Sequence, residues 1–213
     1  MTDKSKIILT DIDGVVLNWE YAFGEYMEFQ GHQPVEGHNK YYSVRQKYNL
    51  PTDASGDIVI KTFNESAAIG FLPPLRDAQY FIKKLHEQHQ YQFIAITSLS
   101  LNPYSQKLRE KNLKKMFGDN CFLDVICLDT GADKDDVLKP YSKKYPGAYW
   151  IEDKPENVDL GVGFGLNGIL MEHGHNMDYT GQANVVVNWE EIYNLIVKTG
   201  GQYQKRRYTI CIV

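Results

Sequence analysis

The stretch Ile7-Ile8-Leu9-Thr10-Asp11-Ile12-Asp13-Gly14-Val15-Val16 decides the fold. A short, β-branched apolar run without polar alternation reads as a strand buried on both faces of a parallel sheet. The run stops at two aspartates one residue apart, and Gly14 then lets the chain turn sharply away. In open α/β sheets, sites are built at the carboxyl ends of strands. Two carboxylates delivered there can act as nucleophile and proton donor, or as metal ligands; the alternative is a strand followed by an acidic loop.

Working outward, the downstream sequence alternates helical and strand patterns. Helices are expected at about 75–89, 103–117, 133–145, near 155–163, and 189–197. Strands are expected at 91–96, 122–128, 148–151, 168–171, and 185–187. Such alternation predicts a parallel sheet covered on both faces. The segment between the first and second strands has no strong strand pattern. Helices are expected there at 19–29, 39–48, and 57–68, with 51–56 a turn-rich loop. It reads as a helical insertion set apart from the sheet. The expected organisation is therefore a core from 1–17 and 74–200, an insertion at 18–73, and a C-terminal tail at 201–213, whose residues 208–213 either pair as an edge strand or hang free.

The chain has 213 residues and a formal net charge of −4. That length suits one domain with an insertion and gives room for a sizeable core. The charge gives no sign of a nucleic-acid-coating or anionic-membrane-binding protein, and Lys205-Arg206-Arg207 is too small a cluster to change that. Cys121, Cys127, and Cys211 show no metal-ligand spacing, so a reduced, cytoplasmic setting is expected. No signal peptide or membrane-spanning stretch is expected. Cys211 is one position too late for a prenylation box.

Four expected strand ends carry chemistry. The first bears Asp11 and Asp13, the second Thr97 and Ser98, and the fourth Glu152 and Asp153; the third leads to Lys134 at the start of the next helix. Parallel strands place all of these on one sheet edge. Lys139, before Pro140, competes with Lys134, and Thr97 could be a structural strand-end hydroxyl. Gly161-x-Gly163-x-Gly165 follows the fourth strand's helix instead of opening the first, so it reads as a helix C-terminus and turn, not a dinucleotide fingerprint. His173-x-His175 reads as a loop or an orienting pair near the site in preference to a metal centre. His32, His38, His86, and His89 read as surface residues.

Asp11-x-Asp13-Gly14, Thr97, Lys134, and Glu152-Asp153, in that order, resemble the four motifs of the haloacid dehalogenase superfamily. The resemblance extends to about residue 176. It implies a three-layer, Rossmann-like α/β core with a small helical cap inserted after the first strand. Asp11-Ile12-Asp13-Gly14-Val15-Val16, Ile96-Thr97-Ser98, Ile151-Glu152-Asp153-Lys154, and His175-Asn176 look like the 5′(3′)-deoxyribonucleotidase branch, although two aspartates are common there where this chain has Glu152-Asp153. The resemblance implies Mg²⁺-dependent phosphomonoester hydrolysis. Asp11 would be the nucleophile and Asp13 the general acid and base. Thr97 and Lys134 would bind the phosphoryl group. Metal ligands would be Asp11, Asp153, Glu152, and the backbone carbonyl of Asp13. The second aspartate of the first motif favours phosphoryl transfer over dehalogenation, because a halide leaving group needs no acid. Gly14 and Ser98 would line the phosphate site, and Trp19, at the site entrance, would stack on a base. The expected partner is a small phosphorylated substrate, not nucleic acid or a membrane; a homodimer is left open, as is a non-catalytic binding protein on the same fold.

Overall fold

The computed structural model describes residues 4–198. Expectations for the basic cluster, Cys211, and the segment 201–213 fall outside them. Six strands form one parallel sheet in the order β3-β2-β1-β4-β5-β6. They are β1 Ile7–Thr10, β2 Gln92–Ser98, β3 Phe122–Leu128, β4 Tyr149–Glu152, β5 Asn167–Met171, and β6 Asn184–Val186. Among the described residues, eight α-helices accompany them: α1 Trp19–Phe29, α2 Val44–Tyr48, α3 Asp53–Asn64, α4 Ala78–His89, α5 Pro103–Phe117, α6 Asp135–Lys144, α7 Pro155–Gly163, and α8 Trp189–Val197.

Side chains of successive strand residues point to opposite faces, and the two apolar clusters divide accordingly. Ile8, Phe93, Ala95, Ile151, and Ile169 pack on one face with residues of α4, α5, and α8. Ile7, Leu9, Ile94, Ile96, Trp150, and Leu170 pack on the other with Leu138 of α6 and Val158 of α7. The result is the expected three-layer α/β architecture. Strand β1 lies between β2 and β4, at the point where the strand order reverses, so its carboxyl end opens into the crevice where such sheets bind ligands.

Several boundaries differ from the sequence reading, each for a local reason. Helix α3 starts at Asp53 instead of residue 57, because the Thr52 side chain accepts from Ser55 N and caps the helix earlier. Helix α4 starts at Ala78 instead of residue 75. Arg76 has φ +45°, and the Asp77 carboxylate caps α8 instead, accepting from Trp189 N at 3.0 Å and Glu190 N at 2.9 Å. Strand β2 runs through Thr97 and Ser98, which pair with Cys127 and Leu128. The glycine run does end a helix, with Gly165 at φ +84°. Gly161 also lies so close to Trp150 that a Cβ would enter its ring.

The insertion is not as separate as its sequence suggests. Phe23, Met27, Val44, Leu50, and Phe63 belong to the same apolar cluster as one sheet face. Its two connecting segments lie side by side. Asn18 N donates to Pro73 O at 2.8 Å, and Leu75 N donates to Val16 O at 2.9 Å. Trp189 fixes the entry from above, its indole N–H donating to Val15 O at 2.8 Å.

Candidate active site

Each candidate residue is delivered by the sheet edge. Asp11 follows β1 directly, its N–H still bonded to Ile151 O at 2.8 Å. Its Oδ1 accepts from Ile12 N at 2.7 Å and lies 3.0 Å from Lys134 Nζ. Lys134 also donates to Glu152 Oε1 at 3.1 Å. It is 1% exposed, whereas Lys139 is exposed on α6. Lys134 is therefore the lysine that the fold brings to the carboxylates: it immediately precedes α6, while Lys139 is more than one helical turn further on.

Asp11, Glu152, and Asp153 each offer a carboxylate oxygen within 4.8 Å of the others. One ammonium faces two buried acids and a third, Asp153, that is partly buried, and the imbalance marks the protonation of Glu152 and Asp153. Burial, reinforced by the Asp11 charge, pushes the Asp153 carboxyl up to about 8 and raises Glu152 well above its ordinary value. Lys134 is raised despite burial, because Asp11 and Glu152 hold its charge. A cluster of hard oxygen donors with unneutralised negative charge suits a small divalent cation. The histidines are not part of it.

The site's backbone is tightly braced. Gly14 has φ +77°, and a Cβ there would stand 2.6 Å from Asp153 Oδ2. His173 Nε2 donates to Gly14 O at 2.6 Å, which requires the proton on that nitrogen; burial pushes the ring down to about 4. Asn176 Nδ2 donates to Asp153 O at 2.7 Å and Met171 O at 2.9 Å, tying the loop after β5 to the acidic turn. His175 Nε2 lies 3.8 Å from Asp153 Oδ2, too far for a hydrogen bond. Both histidines thus sit at the site, where His173 braces Gly14 and Asn176, next to His175, holds the Asp153 backbone.

Thr97 is fully buried, and its hydroxyl has no hydrogen-bond partner among the described residues. A buried hydroxyl left unpaired beside a cavity awaits an acceptor. Ser98 is already committed, its Oγ donating to Ala132 O at 2.9 Å. Trp19 is half-buried, stacked on Phe23 with ring centroids 4.4 Å apart, and its indole N–H donates to Asn64. These residues line a cavity of about 1100 Å³, together with insertion residues including Tyr42, Arg45, Lys47, and Lys61.

Asp13 stands apart from the acidic cluster. Both of its oxygens are held by Arg109 of α5, Nη1 at 2.6 Å from Oδ1 and Nη2 at 2.9 Å from Oδ2. Burial raises the Asp13 carboxyl and the guanidinium opposes that rise. Nothing in the sequence reading pointed to Arg109. It sits among Lys107, Glu110, and Lys111 on a helix with no clear apolar period; the available signal was its spacing from Ser105 and Leu113, which share its buried face.

No family model matches the sequence. An uncharacterized 32.4 kDa protein from the Gp30-rIII intergenic region of Enterobacteria phage T4 is 30% identical over 158 residues, covering 71% of this chain and 55% of that protein. The chain thus spans about half the length of this relative. Among solved structures, a haloacid dehalogenase-like hydrolase from Streptococcus pneumoniae aligns with a TM-score of 0.63 at 11% identity, covering 91% of this chain and 99% of that one. The D,D-heptose 1,7-bisphosphate phosphatase of B. bronchiseptica, complexed with magnesium and phosphate, aligns at TM-score 0.55 and 10% identity, covering 91% and 99%. The chain therefore carries the haloacid dehalogenase-like fold, with an acidic cluster at its β1 and β4 ends.

Proposed function

We propose that this protein is a Mg²⁺-dependent phosphomonoester hydrolase that works through an aspartyl-phosphate on Asp11. The observation that carries the reading is the convergence of Asp11, Glu152, and Asp153 within 4.8 Å, with Lys134 3.0 Å from Asp11. The phosphatase among the structural neighbours supports it.

Phosphate monoesters are inert, so catalysis depends on positioning and charge stabilisation. Asp11, Glu152, and Asp153 would hold Mg²⁺, with the Asp13 carbonyl as a further ligand. When bound, Mg²⁺ supplies the positive charge that lets an anionic ester approach the carboxylates. Asp11 attacks phosphorus, forming a P–O bond as the ester P–O bond breaks. Asp13 gives its proton to the leaving oxygen, then takes one from the water that cleaves the aspartyl-phosphate. Thr97 donates to a phosphoryl oxygen. Lys134 stabilises charge on the transferring group. The helical insertion acts as a cap over the cavity.

The favoured substrate is a nucleoside or deoxynucleoside monophosphate, with Trp19 as the platform for the base. The size of the cavity and the placement of Trp19 on its wall support this choice. Phosphate release from a panel of nucleotides and sugar phosphates, with Mg²⁺ and with chelator, tests the reading. Metal-dependent turnover that Asp11→Asn abolishes is the expected result. A folded, Mg²⁺-binding protein with no turnover on the panel would sink it in favour of a binding role.

A further inference from the structure

Arg109 is a fully buried cation, and its guanidinium reaches Asp13 and no other acid among the described residues. Its fork meets the carboxylate with one nitrogen per oxygen, at 2.6 and 2.9 Å. That bidentate pairing fixes the plane of the carboxylate as well as its place. The remainder of the guanidinium is bare: Nε has no hydrogen-bond partner among the described residues. Burying a cation is expensive unless its partner compensates. The helix presents two further polar groups on the same buried face. Ser105 Oγ is unpaired, and Asn112 Nδ2 donates to Leu72 O at 3.0 Å, at the return from the insertion. Helix α5 follows β2, so one βα unit supplies both Thr97 and Arg109.

We infer that Arg109 is the positioning residue for Asp13, holding its carboxylate in the orientation needed for both proton transfers. This rests on the phosphatase reading above. In the first half-reaction the Asp13 carboxyl loses its proton to the leaving oxygen as the ester P–O bond breaks. The carboxylate that results is the species that the guanidinium fork binds best. In the second, water gives its proton to that carboxylate as its oxygen bonds to phosphorus and the Asp11–phosphorus link breaks. Arg109 takes no proton itself and acts only through the Asp13 carboxylate. It stabilises the ionised Asp13 that the first transfer produces and the second consumes.

The test is leaving-group dependence in Arg109→Gln, Arg109→Lys, Asp13→Asn, and the double variant Asp13→Asn with Arg109→Gln. kcat/KM is measured on a nucleoside monophosphate, whose alkoxide must be protonated, and on p-nitrophenyl phosphate, whose phenolate leaves with little help. Arg109→Gln should lower kcat/KM about 10²-fold on the nucleotide, within the range of general-acid contributions, and less than about tenfold on the aryl ester. Arg109→Lys keeps the charge without the fork and should fall between. In the Asp13→Asn background Arg109→Gln should cost nothing more. The double variant removes both charges together, so it remains informative if the single variant does not fold. Equal losses on both substrates, or an undiminished loss in the Asp13→Asn background, would show that Arg109 acts on the substrate or on the fold, and would overturn the inference alone. Absence of turnover by the unmodified protein would overturn the phosphatase reading, and this inference with it.

Discussion

Gly14 faces Asp153 so closely that a Cβ on Gly14 would stand 2.6 Å from Asp153 Oδ2. The first and fourth strand ends therefore touch through a missing side chain. Gly14→Ala should displace the Asp153 carboxylate and weaken Mg²⁺ binding, as titration calorimetry would read. The positive φ adds a stability loss of about 1–2 kcal/mol. Unchanged Mg²⁺ affinity would mean that Asp153 is not a ligand.

Lys134 and Lys139 should separate cleanly. Lys134→Met leaves buried acids without their cation, so it should abolish turnover and cost about 3–5 kcal/mol in denaturant unfolding. Lys139→Met changes an exposed side chain and should stay within about 0.5 kcal/mol. Equal behaviour of the two would contradict the pairing of Lys134 with Asp11 and Glu152.

The acidic cluster predicts how pH and metal act together. The folded protein keeps protons on Asp153 to about pH 8 and on Glu152 well above its ordinary range. The unfolded chain releases them near 4. Metal-free stability should therefore be fullest below that value and fall as pH rises toward 8. Mg²⁺ competes with those protons, so its affinity should tighten by about tenfold per pH unit for each proton it displaces across this range. Melting curves should show a larger Mg²⁺-induced rise in Tm at pH 8 than at pH 6. A pH-independent shift would rule out the cluster as the binding site.

His173 predicts the opposite trend at lower pH. Its ring is held neutral, with a folded pKa pushed from 6.5 to about 4. Its contribution is complete above 6.5. As pH falls, the unfolded chain takes up a proton that the folded ring refuses, and stability drops by about 1.4 kcal/mol per pH unit. His173→Gln keeps a donor for Gly14 O but cannot titrate, so urea midpoints for this variant should fall less steeply between pH 6.5 and 4. Parallel curves would assign the acid sensitivity elsewhere.

The strand ends were legible because an apolar run that stops at a carboxylate or a hydroxyl is a one-dimensional signal. Asp11, Asp13, Thr97, and Glu152-Asp153 all carried it. Lys134 was legible only as one of two, since a lysine near a helix start does not declare which way it points. Arg109 was hidden because its inward face is polar, through Ser105 and Asn112, and the helix shows no apolar stripe to set its phase. The separation of the insertion was over-read for a related reason. Its aromatics do build an interior of their own, but contacts such as those of Phe63 and Ile69 with the sheet-face cluster are set by tertiary packing, which periodicity does not encode.

The paired connectors of the insertion have an evolutionary consequence. With residues 18 and 73 joined by a hydrogen bond, the chain leaves the core and returns at almost the same point. The intervening helices could be exchanged for another set without re-routing the sheet, because both splice points are already together. What such a graft must reproduce is an apolar surface that joins the sheet-face cluster, as Phe63 and Ile69 do, so the barrier to acquiring a new insertion lies in matching that surface and not in threading the chain.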